Sequence, residues 1–276
     1  MSAVLALASS LMWGTADFLG GVASRRRPVL IVYGLSQLVG LVTLALVTTV
    51  MGAWGADSRF WPWAIGSGLL GIVGMVAFYR ALALGPMGIV SPLVSVAVVI
   101  PVAVGLLRGE EPSSLALLGV VFAIVGILLA SGPELTGAEA LVPLALAAIA
   151  ALAFGGMFVL MAEGSATSPL MTMTGMRITT VAVLAIPLLL ARPWRGSGRA
   201  DAWQLTSIGV LDAAANLAYG VATTMGLLVT VAVLGSLYPV VTAVLAAWLL
   251  RERLRPVQYV GVAAALTGVL LISASA

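Results

Sequence analysis

Three chemically versatile side chains are missing from this sequence: it contains no cysteine, no histidine and no lysine. Without cysteine there is no disulfide and no thiol nucleophile, and without histidine there is no imidazole base and no haem ligand. Nearly every transition-metal site falls with them, so no metal and no other cofactor is expected. Charge is scarce as well, at 8% of residues against about 25% in an average soluble domain. All 13 basic residues are arginine, and the formal net charge is +3. These arginines stand at breaks beside apolar runs, which assigns them to membrane topology and headgroup contact and not to nucleic acid. Long polar stretches are missing too, so no soluble domain fits and no Walker-type glycine loop is present to hold ATP. The N terminus has neither a basic leader nor a small-residue cleavage site and reads as the first spanning helix itself.

What fills the chain is hydrocarbon. Hydrophobic residues make up 62% of it, mean hydropathy is +1.18, and 31 glycines are scattered largely through the apolar runs. A bilayer core about 30 Å thick takes about 20 apolar residues of helix to cross, and lipid offers no partner to an unsatisfied backbone group. Ten such segments follow one another, at about 3–23, 29–52, 61–84, 87–107, 113–131, 141–163, 169–191, 202–226, 228–250 and 256–274. The expected class is an all-α membrane protein with ten transmembrane helices and bilayer lipid as its solvent.

The segments repeat. Glu110, Gly119 and Gly126 meet Glu252, Gly261 and Gly268 at one constant offset, and both stretches run on into Leu-Leu. Leu11-Met12-Trp13-Gly14 likewise meets Leu152-Ala153-Phe154-Gly155, with Pro28 and Pro169 following at the same spacing. The chain thus divides into a first five-helix repeat over 1–131 and a second over 141–274. Five crossings is an odd number, so the second repeat enters the membrane from the opposite side. Inverted-topology repeats around a central cavity are a transporter arrangement, with the binding site expected near the midplane between the halves.

Over nearly its whole length the chain resembles the EamA-type ten-helix branch of the drug/metabolite transporter superfamily. The matching features are Trp13-Gly14, Phe78-Tyr79-Arg80-Ala81-Leu82 leading into Gly85-Pro86, the Leu-Leu-Arg-Gly-Glu turn ending at Glu110 and its counterpart at Glu252, Arg177, and Tyr238-Pro239. The resemblance implies export of amino acids, other metabolites or toxic small molecules, usually across the bacterial inner membrane. It further implies a basket around a cavity lined by helices 1, 3, 4, 6, 8 and 9, with helices 5 and 10 peripheral.

The residues themselves suggest where that site lies. Asp212, Asn216, Tyr219 and Thr223 in the eighth segment are spaced i, i+4, i+7, i+11, four hydrogen-bonding side chains on one helix face. An ionised carboxylate at the centre of a span costs about 2.5–3.5 kcal/mol on insertion scales, so Asp212 must face the bundle interior, water or a cation. It reads either as a cavity group that binds an amine or a proton, or as a structural partner of Arg177. In the first segment Ser10, Trp13, Asp17 and Gly20 share a face, and Asp17 reads either as a second cavity carboxylate or as a salt bridge to the following arginines, Arg25 to Arg27. Trp13 and its counterpart Phe154, with Met157 and Tyr79, are aromatic and methionine candidates for the cavity wall. Ser91, Pro92, Ser95 and Pro101 in the fourth segment, and Ser236, Tyr238 and Pro239 in the ninth, place prolines beside small polar groups. Pro92, Pro101 and Pro239 are candidate hinges, because proline frees a carbonyl that only protein or a cavity can receive at membrane depth. The candidate substrate contacts are therefore Trp13, Asp17, Tyr79, Ser91, Ser95, Phe154, Met157, Asp212, Asn216, Tyr219 and Ser236, with Asp17 and Asp212 available for proton coupling. Arg80 and Arg177 read as arginines that snorkel to the headgroups; Arg177 lies about 12 Å inside its helix end by a rise of 1.5 Å per residue.

The functional expectation is a secondary transporter, not an enzyme, that exports small metabolites, amino acids foremost, by alternating access. Efflux of lipophilic cations by the same fold is the alternative. An intramembrane aspartyl enzyme using Asp17 and Asp212 is a weaker third reading, since neither sequence context carries the glycine-flanked motif of such proteases. Two halves can form a complete pathway in a monomer, or in a loose homo-oligomer. Orientation is contested. Nine arginines lie in the loops after segments 1, 7 and 9, against Arg59 and Arg108 on the other face, which puts both termini outside; the resemblance implies termini in the cytoplasm.

Overall fold

The computed structural model describes residues 1–84, 90, 94–131, 141–191, 199–250 and 255–274, and among these there is helix and no strand. The helices are α1 (Ser2–Ser24), α2 (Val29–Val50), α3 (Trp61–Leu84), α4 (Val99–Leu107, entered through a 3-10 turn Ser95–Val98), α5 (Ser114–Ser131) and α6 (Leu141–Thr167), then α7 (Pro169–Ala191), α8 (Arg199–Thr223), α9 (Leu228–Gly235), α10 (Tyr238–Leu249) and α11 (Pro256–Ala274). Among the described residues seven helical runs are long and apolar enough to cross a membrane, while Val96–Leu107 and Ser114–Gly126 are shorter apolar helices. The sixth helix runs past its expected end at residue 163, to Thr167, and the eighth starts at Arg199 and stops at Thr223, short of 226. The ninth segment is not one continuous helix: it breaks at Ser236 and Leu237. Pro239 stands in the first turn of α10, and Pro101 is the third residue of α4. A helix's first turn has no intrahelical acceptors for its N–H groups, so proline is tolerated there.

Polar side chains inside the spans are satisfied mostly by their own helices. Thr43, Thr48, Ser67 and Thr179 each donate a hydroxyl to the carbonyl four residues back, the usual accommodation of Ser and Thr in an apolar helix. Leucine, isoleucine and valine side chains such as Val42, Leu46, Leu69, Val73, Ile186 and Leu190 face outward. Inward surfaces are built by close approach: a Cβ at Gly74 would lie 2.6 Å from the Phe154 ring, and one at Gly268 would lie 2.6 Å from the Gly119 carbonyl oxygen. Packing of this kind replaces the missing hydrophobic drive between helices in lipid.

The principal partners are α1 with α8, α3 with α6, and α5 with α11, followed by α2 with α7 and, to much the same extent, α3 with α7 and α2 with α8. Individual contacts recur as well. A Cβ at Gly14 would lie 2.4 Å from the Tyr238 carbonyl oxygen, and one at Gly155 would lie 2.7 Å from that of Ala97. Both members of the second pair are displaced from the first by the offset that relates Trp13 to Phe154.

Candidate functional site

A cavity lies at mid-length of the helices. Its lining comes from α1 (Trp13, Asp17), α2 (Tyr33, Gln37), α3 (Gly71, Met75), α6 (Phe154, Met157, Phe158), α7 (Met176, Arg177, Thr180), α8 (Asp212, Asn216) and α10 (Tyr238). The wall is therefore mostly aromatic rings and thioethers around a small polar group. The helices named by the resemblance supply much of it, but α2 and α7 also contribute.

Asp212 is fully engaged. Its Oδ2 accepts from Arg177 Nη2 at 2.8 Å and from Gln37 Nε2 at 3.1 Å, and its Oδ1 accepts from Asn216 Nδ2 at 2.9 Å. Arg177 Nη1 donates in turn to Gln37 Oε1. Three helices thus close a ring of hydrogen bonds around one ion pair whose side chains are 4% and 9% exposed. This corrects the reading of Arg177 as a headgroup anchor. Its guanidinium lies inside the bundle because a buried carboxylate and a glutamine oxygen receive it there, which outweighs the pull of the headgroups. Arg80, by contrast, is exposed. Room for the guanidinium comes partly from Gly40, where a Cβ would sit 3.4 Å from Arg177 Nε.

Asp17 differs. It is buried, on the cavity wall, and among the described residues its carboxylate has no hydrogen bond or ion pair to protein. The salt bridge to the arginines after α1 does not form, since Asp17 points into the bundle two turns before them. Trp13, one turn away, packs on Phe158 and Tyr219 at centroid distances of 5.4 and 5.5 Å, and those two rings are 5.2 Å apart. Tyr238 stands edge-on to Trp13 at 6.3 Å. On the other side Tyr33 and Tyr79 meet edge to face at 6.4 Å, and a Cβ at Gly20 would strike the Tyr79 hydroxyl. The Tyr238 hydroxyl, Asn216 Oδ1 and Arg177 Nε are buried without a protein partner among the described residues.

Of the expected contacts, Trp13, Asp17, Phe154, Met157, Asp212 and Asn216 come together on the cavity wall. Tyr219 lies behind Trp13, Tyr79 packs against Gly20 and Tyr33, and Ser236 is buried at the break between α9 and α10. Ser91, Pro92, the Ser95 side chain and Glu252 lie outside the described residues. Gln37 and Tyr33 are not among the expected contacts, yet Tyr33, Ser36 and Gln37 form a polar i, i+3, i+4 cluster inside a run of mean hydropathy 2.2. A glutamine in such a run is a sufficient signal that the face turns inward.

Fold and cavity together define a multi-pass helical membrane protein with a polar group held at its centre. The sequence profile of the EamA-like transporter family matches the chain twice, over residues 1–132 and 141–274. The chain belongs to that family of the drug/metabolite transporter superfamily. An uncharacterized protein of Methanocaldococcus jannaschii is 28% identical over 130 residues, which are 46% of this chain and 94% of the relative. A solved structure titled only "Crystal structure of protein" superposes with a TM-score of 0.76 at 18% identity, covering 98% of this chain and 95% of that one. That likeness concerns the fold alone.

Proposed function

We propose that the protein is a secondary transporter of small metabolites that carry a protonated amine, amino acids foremost, and that Asp17 receives that amine in the central cavity. One observation carries the reading: of the two buried carboxylates on the wall, one is saturated by protein partners and the other has none among the described residues. An anion at membrane depth without a protein counter-charge is disfavoured unless a cation or a proton answers it. Around it, Trp13, Phe154, Phe158 and Tyr238 suit an apolar body and add cation–π attraction. Lipophilic-cation efflux is the second reading. It is favoured by the engagement of Arg177 with Asp212, which withdraws from a substrate carboxylate the one cation that lines the cavity among the described residues.

Ten crossings in two inverted five-helix halves, 1–131 and 141–274, complete the proposal, with export across a bacterial inner membrane by alternating access. The twofold family match and a relative about one repeat long support the duplication. Helix pairing supports two equivalent halves: exchanging them interchanges α1–α8 with α3–α6 and returns α2–α7 and α5–α11 to themselves, and five crossings per half then invert the second. A monomer would hold the whole pathway.

The test is counterflow in liposomes holding the purified protein, with labelled amino acids and lipophilic cations presented in turn, with and without a pH gradient. Saturable exchange of an amine-bearing class is expected. No exchange of any solute would overturn the transporter reading, and exchange of anions alone would overturn the role of Asp17. Reporter fusions at Ala276 separate the two orientations.

A further inference from the structure

Helix α9 begins without a cap of its own. Leu227 at its N-cap offers no side-chain acceptor, and helix N termini carry unsatisfied N–H groups and partial positive charge. The acceptor comes from the other half of the chain: Glu110 Oε1 accepts from the Leu228 N–H and Oε2 from the Val229 N–H, both at 2.9 Å. Local sequence builds this reach. Gly109 takes φ +82 at the end of α4, and the N–H groups of Gly109 and Glu110 turn back to the carbonyls of Leu106 and Gly105, a Schellman closure that a left-handed glycine permits. Gly105 then leaves space for the carboxylate, since a Cβ there would lie 2.8 Å from Glu110 Oε2. Beside this clasp Arg108 pairs with Glu163, near the end of α6. At the same end of the bundle a Cβ on Gly226 would lie 2.7 Å from the Ser2 hydroxyl, so the start of α1 closes over the turn before α9.

We infer that the Glu110 clasp on α9 and the Arg108–Glu163 pair together form the latch that closes the N-terminal end of the bundle, and that this end opens only when the two halves release it. Both contacts join residues before 132 to residues after 140, so a motion that parts the halves at this end must break both. The clasp also lies under the aromatic layer of Trp13, Phe158 and Tyr219, which separates it from Asp17. The inference rests on alternating access, and the test keeps the two apart by reading water access as well as transport.

The chain has no native cysteine, so introduced thiols are unique. Ser165, 1% exposed near the end of α6, serves as the reporter position. In Ser165→Cys protein, adding Glu110→Ala or Arg108→Ala is expected to raise the rate of labelling by a small charged maleimide at least five-fold. In the separate pair Arg108→Cys/Glu163→Cys, a short reducible bis-thiosulfonate linker is expected to stop counterflow, with recovery on reduction. Unchanged labelling in both latch variants would overturn the proposal, and so would full counterflow through linked protein. If wild-type protein exchanges no solute, the labelling arm still decides the latch, while the transporter reading fails by itself. Arg108 is exposed, so its variant reports even where Glu110→Ala does not fold.

Discussion

Asp212 and Asp17 are both carboxylates at the wall of one cavity, on helices that pack against each other, yet their surroundings are opposite. Every carboxylate oxygen of Asp212 is met by Arg177, Gln37 or Asn216; Asp17 meets aromatic surface and, among the described residues, no donor. The difference separates two uses of buried charge. A carboxylate that is answered within the protein ties helices together, and one that is left unanswered is available to a ligand.

The largest effect expected from breaking this contrast is at Arg177. Arg177→Ala leaves Asp212 charged, buried and unpaired, which should destabilise the protein by about 3–5 kcal/mol, read as a lowered melting temperature in detergent. Replacing both partners by apolar residues, Arg177→Met with Asp212→Leu, should recover most of that loss, because no charge is then stranded. Gln37→Leu removes two hydrogen bonds to charged groups, each worth about 1.5–3 kcal/mol, while leaving the ion pair itself in place, and its melting shift should be comparable to or below that of Arg177→Ala. Thr48→Val breaks a 2.9 Å hydroxyl contact to Thr174 between α2 and α7; hydrogen bonds of this kind between membrane helices average about 0.6 kcal/mol, and a melting shift of only a degree or two is expected. Asp17→Asn should cost no stability at all, and a gain would fit a charge relieved of its isolation.

How much of this was readable beforehand differs by feature. Helix existence follows from apolar runs long enough to cross a bilayer, and the inward face of α8 follows from the spacing of Asp212, Asn216 and Tyr219. The break at Ser236–Leu237 is signalled by Ser236 and Pro239, which mark a candidate hinge, but its position is not, because the Val, Leu and Gly before it fit helix and turn alike. The place of Arg177 is not legible from its own helix: its depth there gives the distance to the headgroups but says nothing of the glutamine and aspartate on neighbouring helices that receive it. The sequence marks Glu110 as half of a repeated motif, whereas its acceptance of two N–H groups from α9 depends on contacts 118 and 119 residues away.

The most direct test of the account is counterflow by Asp17→Asn protein, measured beside wild-type protein at equal folded amounts in liposomes. Loss of exchange with an unchanged or higher melting temperature is the predicted result. Exchange at the wild-type rate would contradict the assignment of Asp17 to the substrate and return the cavity's function to its other polar groups.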